Sequence, residues 1–205
     1  MIMEMRFAKR LAAFLVPVML LAGCAATQPP VPEDKYYRLQ SVPASAPLAT
    51  PVFPGTLVIE RFSADGLTAG RPIVFVEDTG PNQLQEYHYH FWTQPPTVML
   101  RDELVSYLRA MNVAPNIVIP EMRLAPDYVM AGRIRRLEQI RTTSESAAIE
   151  LEISVRQPND GKLLFLKSYR YETPQNEGGV AGAVQAMNVG WNQILADLLD
   201  DLRKQ

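Results

Sequence analysis

The sequence predicts an α+β fold: a mostly antiparallel β-sheet with two main helices packed on one face. Three observations carry this. Between Ala147 and Gln157 the residues alternate, with Ile149, Leu151, Ile153 and Val155 on one side and Glu150, Glu152, Ser154 and Arg156 on the other. That period of two is a strand with one buried face. Asn159-Asp160-Gly161 then supplies a hairpin turn, and Leu163 to Thr173 returns as the antiparallel partner. Finally, two segments repeat apolar residues at helical spacing: Leu100, Leu104, Leu108 and Met111, and the stripe Val180, Val184, Met187, Trp191, Ile194, Leu195, Leu198 and Leu202.

The elements follow in order. Arg6, Lys9 and Arg10 precede the apolar run Leu11 to Leu21, and Ala22-Gly23 close it. A basic start, a short apolar stretch and a small-residue end make a secretory signal peptide over residues 1–23. The run is too short for a membrane span, which needs about 20 residues. A buried helix with a core thiol would not begin with three cations and end in prolines. Leu21-Ala22-Gly23-Cys24 resembles the lipobox of bacterial lipoproteins. The resemblance implies a diacylglycerol on the Cys24 sulfur, cleavage before it and acylation of the new amino terminus, palmitate being the typical chain. One acyl chain binds a membrane marginally, whereas two or more anchor stably. Ala25 stands where an aspartate retains enteric lipoproteins in the inner membrane, so the resemblance implies the outer membrane, with the domain facing the periplasm. Cys24 is the chain's single cysteine, which leaves no intramolecular disulfide.

Removing residues 1–23 takes away three cations and one anion, so the formal net charge of −2 moves two units further negative. A mildly acidic domain carries no nucleic-acid footprint. Residues 24–54 read as the lipidated cysteine and a proline-rich tether, with a short strand near 36–40, because proline-rich segments are extended spacers. Residues 55–205 read as a single α+β periplasmic domain. Its strands are Thr56 to Phe62, Pro72 to Glu77, Gln83 to Trp92, Ile117 to Ile119 and Asp127 to Arg141, followed by the alternating pair. Asp78 to Asn82 is a turn cluster. Pro95-Pro96 opens the first helix, where early N–H groups lack intrahelical partners anyway.

Catalytic signatures are sparse. His88 and His90, two apart on a strand, share a face and could begin a metal site, but the chain holds no other histidine and no second cysteine. A zinc site needs three or four ligands, so carboxylates such as Glu60 or Glu86 would have to complete it. A solvent-facing strand surface is the simpler reading, and neither metal nor cofactor is expected. No G-x-S-x-G elbow, P-loop or G-x-G-x-x-G appears in the required context. Arg133, Arg135, Arg136 and Arg141 make a basic strand, read as a solvated edge protected by charge in preference to a lipid-headgroup site. Nothing here argues for catalysis.

The order of segments carries a resemblance. The lipobox is followed by Tyr36-Tyr37-Arg38-Leu39, the strand Leu57 to Phe62, the aromatic strand ending in Trp92 and the Pro95-Pro96 helix. Asp127-Tyr128-Val129-Met130-Ala131-Gly132-Arg133-Ile134 and the alternating pair complete it. This layout resembles the ABC-type transport auxiliary lipoprotein family, the PqiC-like lipoproteins of MCE-type intermembrane lipid transport systems. The resemblance implies no catalytic site. It implies partnership with an MCE-domain periplasm-spanning protein and inner-membrane transporter components, and a role in envelope integrity; homo-oligomerisation stays open. Tyr87, Tyr89 and Trp92 are the expected partner surface, since Tyr and Trp concentrate binding energy at interfaces. Two other classes compete: an assembly lipoprotein for an outer-membrane β-barrel of lipopolysaccharide-export type, and a periplasmic hydrolase, against which the missing nucleophile motif counts.

Overall fold

The computed structural model describes residues 32–43, 46–78 and 80–204. In chain order the strands are β1 (Lys35–Tyr37), β2 (Thr56–Ile59), β3 (Ser63–Ala64), β4 (Pro72–Glu77), β5 (Gly80–Trp92), β6 (Asn116–Val118), β7 (Tyr128–Arg141), β8 (Ser146–Arg156) and β9 (Leu163–Pro174). The helices are α1 (Pro96–Ala110), between β5 and β6, and α2 (Gly179–Leu202), after β9.

β7 is the spine of the sheet. Along one side it pairs antiparallel with β8 from Val129 to Ile140, and β8 pairs in turn with β9. Its other side is used three times in succession, always in parallel. β2 lies against Tyr128 to Met130, β3 against Arg133 and Ile134, and β4 against Glu138 to Arg141. The chain from Thr56 to Glu77 thus runs as one path along β7 and lifts away only at a 3-10 turn, Gly66–Ala69. β6 extends the sheet beyond β2, while β5 and then β1 extend it beyond β4. The long ladders are antiparallel and the short ones parallel, so the sheet is mixed within an α+β fold.

The basic strand is therefore central, which corrects the reading of Arg133 to Arg141 as a protected edge. Its cations instead face acidic neighbours across the sheet surface: Arg133 to Asp65 at 2.5 Å, Arg136 to Glu138 at 2.6 Å and Arg141 to Glu77 at 3.0 Å. The exposed pairs at Asp65 and Glu77 are worth about 0–1 kcal/mol each, so they shape the surface more than they stabilise it, whereas Glu138 is buried.

Stability comes from the opposite face. Met130, Ile134, Leu137, Ile149, Leu151, Ile153 and Val155 are buried there, and α2 packs across β7, β8 and β9 with its predicted stripe inward. Gly132 lies in this surface because the Phe62 ring occupies the space of a side chain: a Cβ would fall 2.5 Å from a ring carbon. α1 opens at Pro96 and ends by Met111, with Asn112 in the left-handed region at φ 55°. Arg109 in its last turn donates to the Ile117 carbonyl at 2.6 and 2.8 Å, tying the helix end to β6.

The described residues between 38 and 54 carry no helix or strand, yet their backbone is bonded to both helices. The Gln40 and Val42 N–H groups donate to Asn188 and Asn192 of α2, each at 2.7 Å, and Asn192 Nδ2 returns a bond to the Gln40 carbonyl at 3.0 Å. Ser41 donates through both N–H and hydroxyl to Glu103 of α1, at 2.6 and 2.8 Å. Leu48 N–H reaches the Met111 carbonyl, and Val52 and Phe53 share the Val113 carbonyl. Leu39 and Phe53 are anchored in the core. This segment is a strap across the helical layer, and the chain from Asp34 onward forms one compact unit.

Candidate functional site

Geometry at the β1–β5 edge of the sheet begins with a break in regularity. Opposite β4, Val74 pairs with Glu86 but Pro72 pairs with Phe91, so β5 carries extra residues between Tyr87 and His90. A bulge interrupts the alternation of faces. As a result Tyr87 and His90, three apart, both reach one groove of about 460 Å³, while His88 is exposed. Lys35 and Tyr37 of β1, Gln139 and Arg141 of β7, Glu145 and the start of α2 complete the walls.

A hydrogen-bonded chain organises the floor. The Tyr87 hydroxyl donates to Gln139 Oε1 at 2.6 Å, and Gln139 Nε2 donates to Gln175 Oε1 at 2.8 Å. Gln139 is only 1% exposed, a cost offset because both ends of its amide are satisfied. The Tyr87 ring packs 4.5 Å from Phe75, whose face lies 5.0 Å from the Arg141 guanidinium. Tyr37 and His90 stack 5.7 Å apart, and the hydroxyl shares a 2.9 Å hydrogen bond with Nδ1.

Burial is the main influence on these groups. It pushes the Tyr87 hydroxyl up from its ordinary value; the Arg141 charge opposes the rise and the Glu145 charge adds to it. Burial likewise raises Tyr37. It lowers His90, with the Lys35 charge acting in the same direction, which favours the neutral imidazole. Phenols and an imidazole can donate and accept hydrogen bonds here, and among the described residues the walls contain no serine, threonine or cysteine. Among the described residues no three His, Cys, Asp or Glu side chains come close enough to hold a metal ion.

The structure does not bring Tyr87, Tyr89 and Trp92 together on one surface. Trp92 is 1% exposed and belongs to the core, Tyr87 turns into the groove, and Tyr89 is 38% exposed. Cys24 lies outside the described residues. Gln139 of the groove escaped sequence reasoning, and Arg141 was read only as part of a basic edge, because β7 shifts register between Ile134 and Arg136. Counting by twos from Met130 would put Arg136 and Glu138 inward; the shift puts Leu137 and Gln139 there instead. A polar residue five positions beyond Ile134, after a run that is apolar on that face, was the signal the sequence held.

The strand path resembles known structures. A Xanthomonas campestris protein of the DUF330 family superposes with a TM-score of 0.68 at 22% identity, over 80% of this chain and 92% of its own. A second crystal structure, of an uncharacterised protein, superposes with a TM-score of 0.64 at 18% identity, over 83% of this chain and 99% of its own. Likeness at these identities speaks for the fold alone. No curated protein matches the chain. The family described as ABC-type transport auxiliary lipoprotein component matches residues 37–198, from Tyr37 in the groove to Leu198 under the sheet, and the chain belongs to that family.

Proposed function

We propose that the protein is an outer-membrane-anchored periplasmic subunit of an MCE/ABC-type intermembrane lipid transport system that maintains envelope integrity, and that it acts by docking to partners instead of by catalysis. Family membership across residues 37–198 is the observation that carries this reading. It joins with the lipobox at Cys24 and with Ala25, which favours the outer membrane. The economy of the domain supports docking. Its long apolar side chains are committed to one core, and the groove of about 460 Å³ is walled largely by polar groups. Such a space suits a small headgroup and not two acyl chains.

The test is purification of the tagged full-length lipoprotein from membranes, with partners identified by mass. An MCE-domain protein and inner-membrane transporter components should co-purify, and the lipoprotein should band with the outer membrane. Recovery of an outer-membrane β-barrel as the sole stoichiometric partner would overturn the reading.

A further inference from the structure

Resting on that docking role, we propose that the amino-terminal end of β9, Leu163-Leu164-Phe165-Leu166, receives an extended apolar segment of a partner protein with a carboxylate beside its apolar run. Among the described residues β9 pairs with β8 alone, so its outer edge presents free backbone groups. Edge strands are ordinarily blunted by charge or proline. The far half of β9 is blunted in this way, by Arg170, Glu172 and Pro174. The near end holds four apolar residues in a row, with Leu163 55% and Leu166 57% exposed.

Beside them lies a place for a side chain. β9 shifts register between Val155 and Arg156, leaving Leu164 as the extra residue of a bulge. Leu164 and Phe165 then line an apolar groove of about 210 Å³ with Val52, Phe53 and Tyr128. That is room for one large apolar side chain, flanked by the exposed leucines and by a strand edge. Added strands gain affinity from main-chain bonds and specificity from such pockets.

Charge selects the occupant. Lys162 and Lys167 bracket the apolar run, while Arg170 further along is paired with Glu150 at 3.9 Å. In the antiparallel register that would set the four apolar residues of two copies opposite one another, Lys162 meets Lys167; in parallel register each lysine meets itself. Like charges directly opposite are destabilising. Lys167 is already held by Asp201 at 2.5 Å, whereas Lys162 has no ion pair among the described residues and is exposed. A segment with a carboxylate beside its apolar run is favoured over a second copy.

The experiment uses the full-length lipoprotein in its native membranes, with the photo-crosslinker p-benzoylphenylalanine at Leu166 and, as a control, at Val189, which is 61% exposed on α2. Irradiation at Leu166 should yield an adduct to another protein, and the cross-linked peptide should be apolar with Asp or Glu beside it. Lys162→Glu should cut the yield several-fold without changing circular dichroism or membrane fractionation. Four results would overturn the proposal: an adduct of twice the chain's mass, an adduct to lipid alone, equal yield from Val189, or a yield indifferent to Lys162→Glu. The two readings separate cleanly. A charge-dependent adduct to a protein outside any transporter keeps this surface and overturns the proposed function. Transporter components that co-purify without the adduct overturn this surface and keep the function.

Discussion

Trp191 sits mid-stripe on α2, 1% exposed, yet its indole Nε1 is buried without a hydrogen-bond partner among the described residues. Two terms of opposite sign therefore meet in one side chain. Truncating a core tryptophan to alanine costs about 3–5 kcal/mol, from lost transfer energy and the cavity left behind. Leaving an N–H buried and unpaired costs the native state about 1–3 kcal/mol. Trp191→Phe removes that orphan donor while keeping an aromatic ring. The ring atoms it gives up are worth roughly 1–2 kcal/mol at about 0.8 kcal/mol per buried methylene-sized group. Gain and loss nearly cancel. Trp191→Ala should then lower the melting temperature by about 6–20 °C, taking about 2–4 °C per kcal/mol for a domain of this size, and Trp191→Phe by no more than about 4 °C. Thermal and urea unfolding of the mature domain by circular dichroism reads both, with Trp92 remaining as a fluorescent reporter. A phenylalanine variant as unstable as the alanine one would refute the cancellation and place Nε1 in a bond that matters. An alanine variant within about 0.5 kcal/mol of wild type, the usual range of surface substitutions, would remove Trp191 from the core.

Gly132→Ala should destabilise by about 1–3 kcal/mol through overpacking against Phe62, and Phe62→Leu in the same chain should recover part of the loss; urea midpoints decide. His90 has a lowered folded pKa, so its contribution is complete above the ordinary histidine value of about 6.5 and is lost as pH falls from there through the folded value. His90→Gln should flatten that part of the stability–pH profile, and an unchanged slope would show that His90 is solvated. Asn192→Ala removes bonds to Val42 and Gln40, so hydrogen exchange should speed up at residues 40–42 while the global midpoint barely moves. Cys24→Ser should release a folded domain from the membrane fraction, and retention of the variant with its signal peptide cleaved would sink the lipid-anchor proposal.

Local periodicity made the long elements legible. The stripe of α2 and the alternation of β8 each repeat within one stretch of chain, so their buried faces could be read residue by residue, and Trp191 with them. The segment order that pointed to the family was equally a property of the linear chain. The strap was not legible, because its backbone is satisfied by Asn188, Asn192 and Glu103, residues far along the chain whose side chains show no pattern with residues 38–54. Nor was the central place of β7: the parallel ladders with β2, β3 and β4 are two to four residues long, too short to impose a period. The aromatic strand shows the limit most directly. Tyr87, Tyr89 and Trp92 are plain in the sequence, but bulges in β5 decide which of them meets solvent, and one extra residue turns every following side chain to the other face. Where a register slips is settled by the strand it must pair with, and that partner exists only once the sheet has formed.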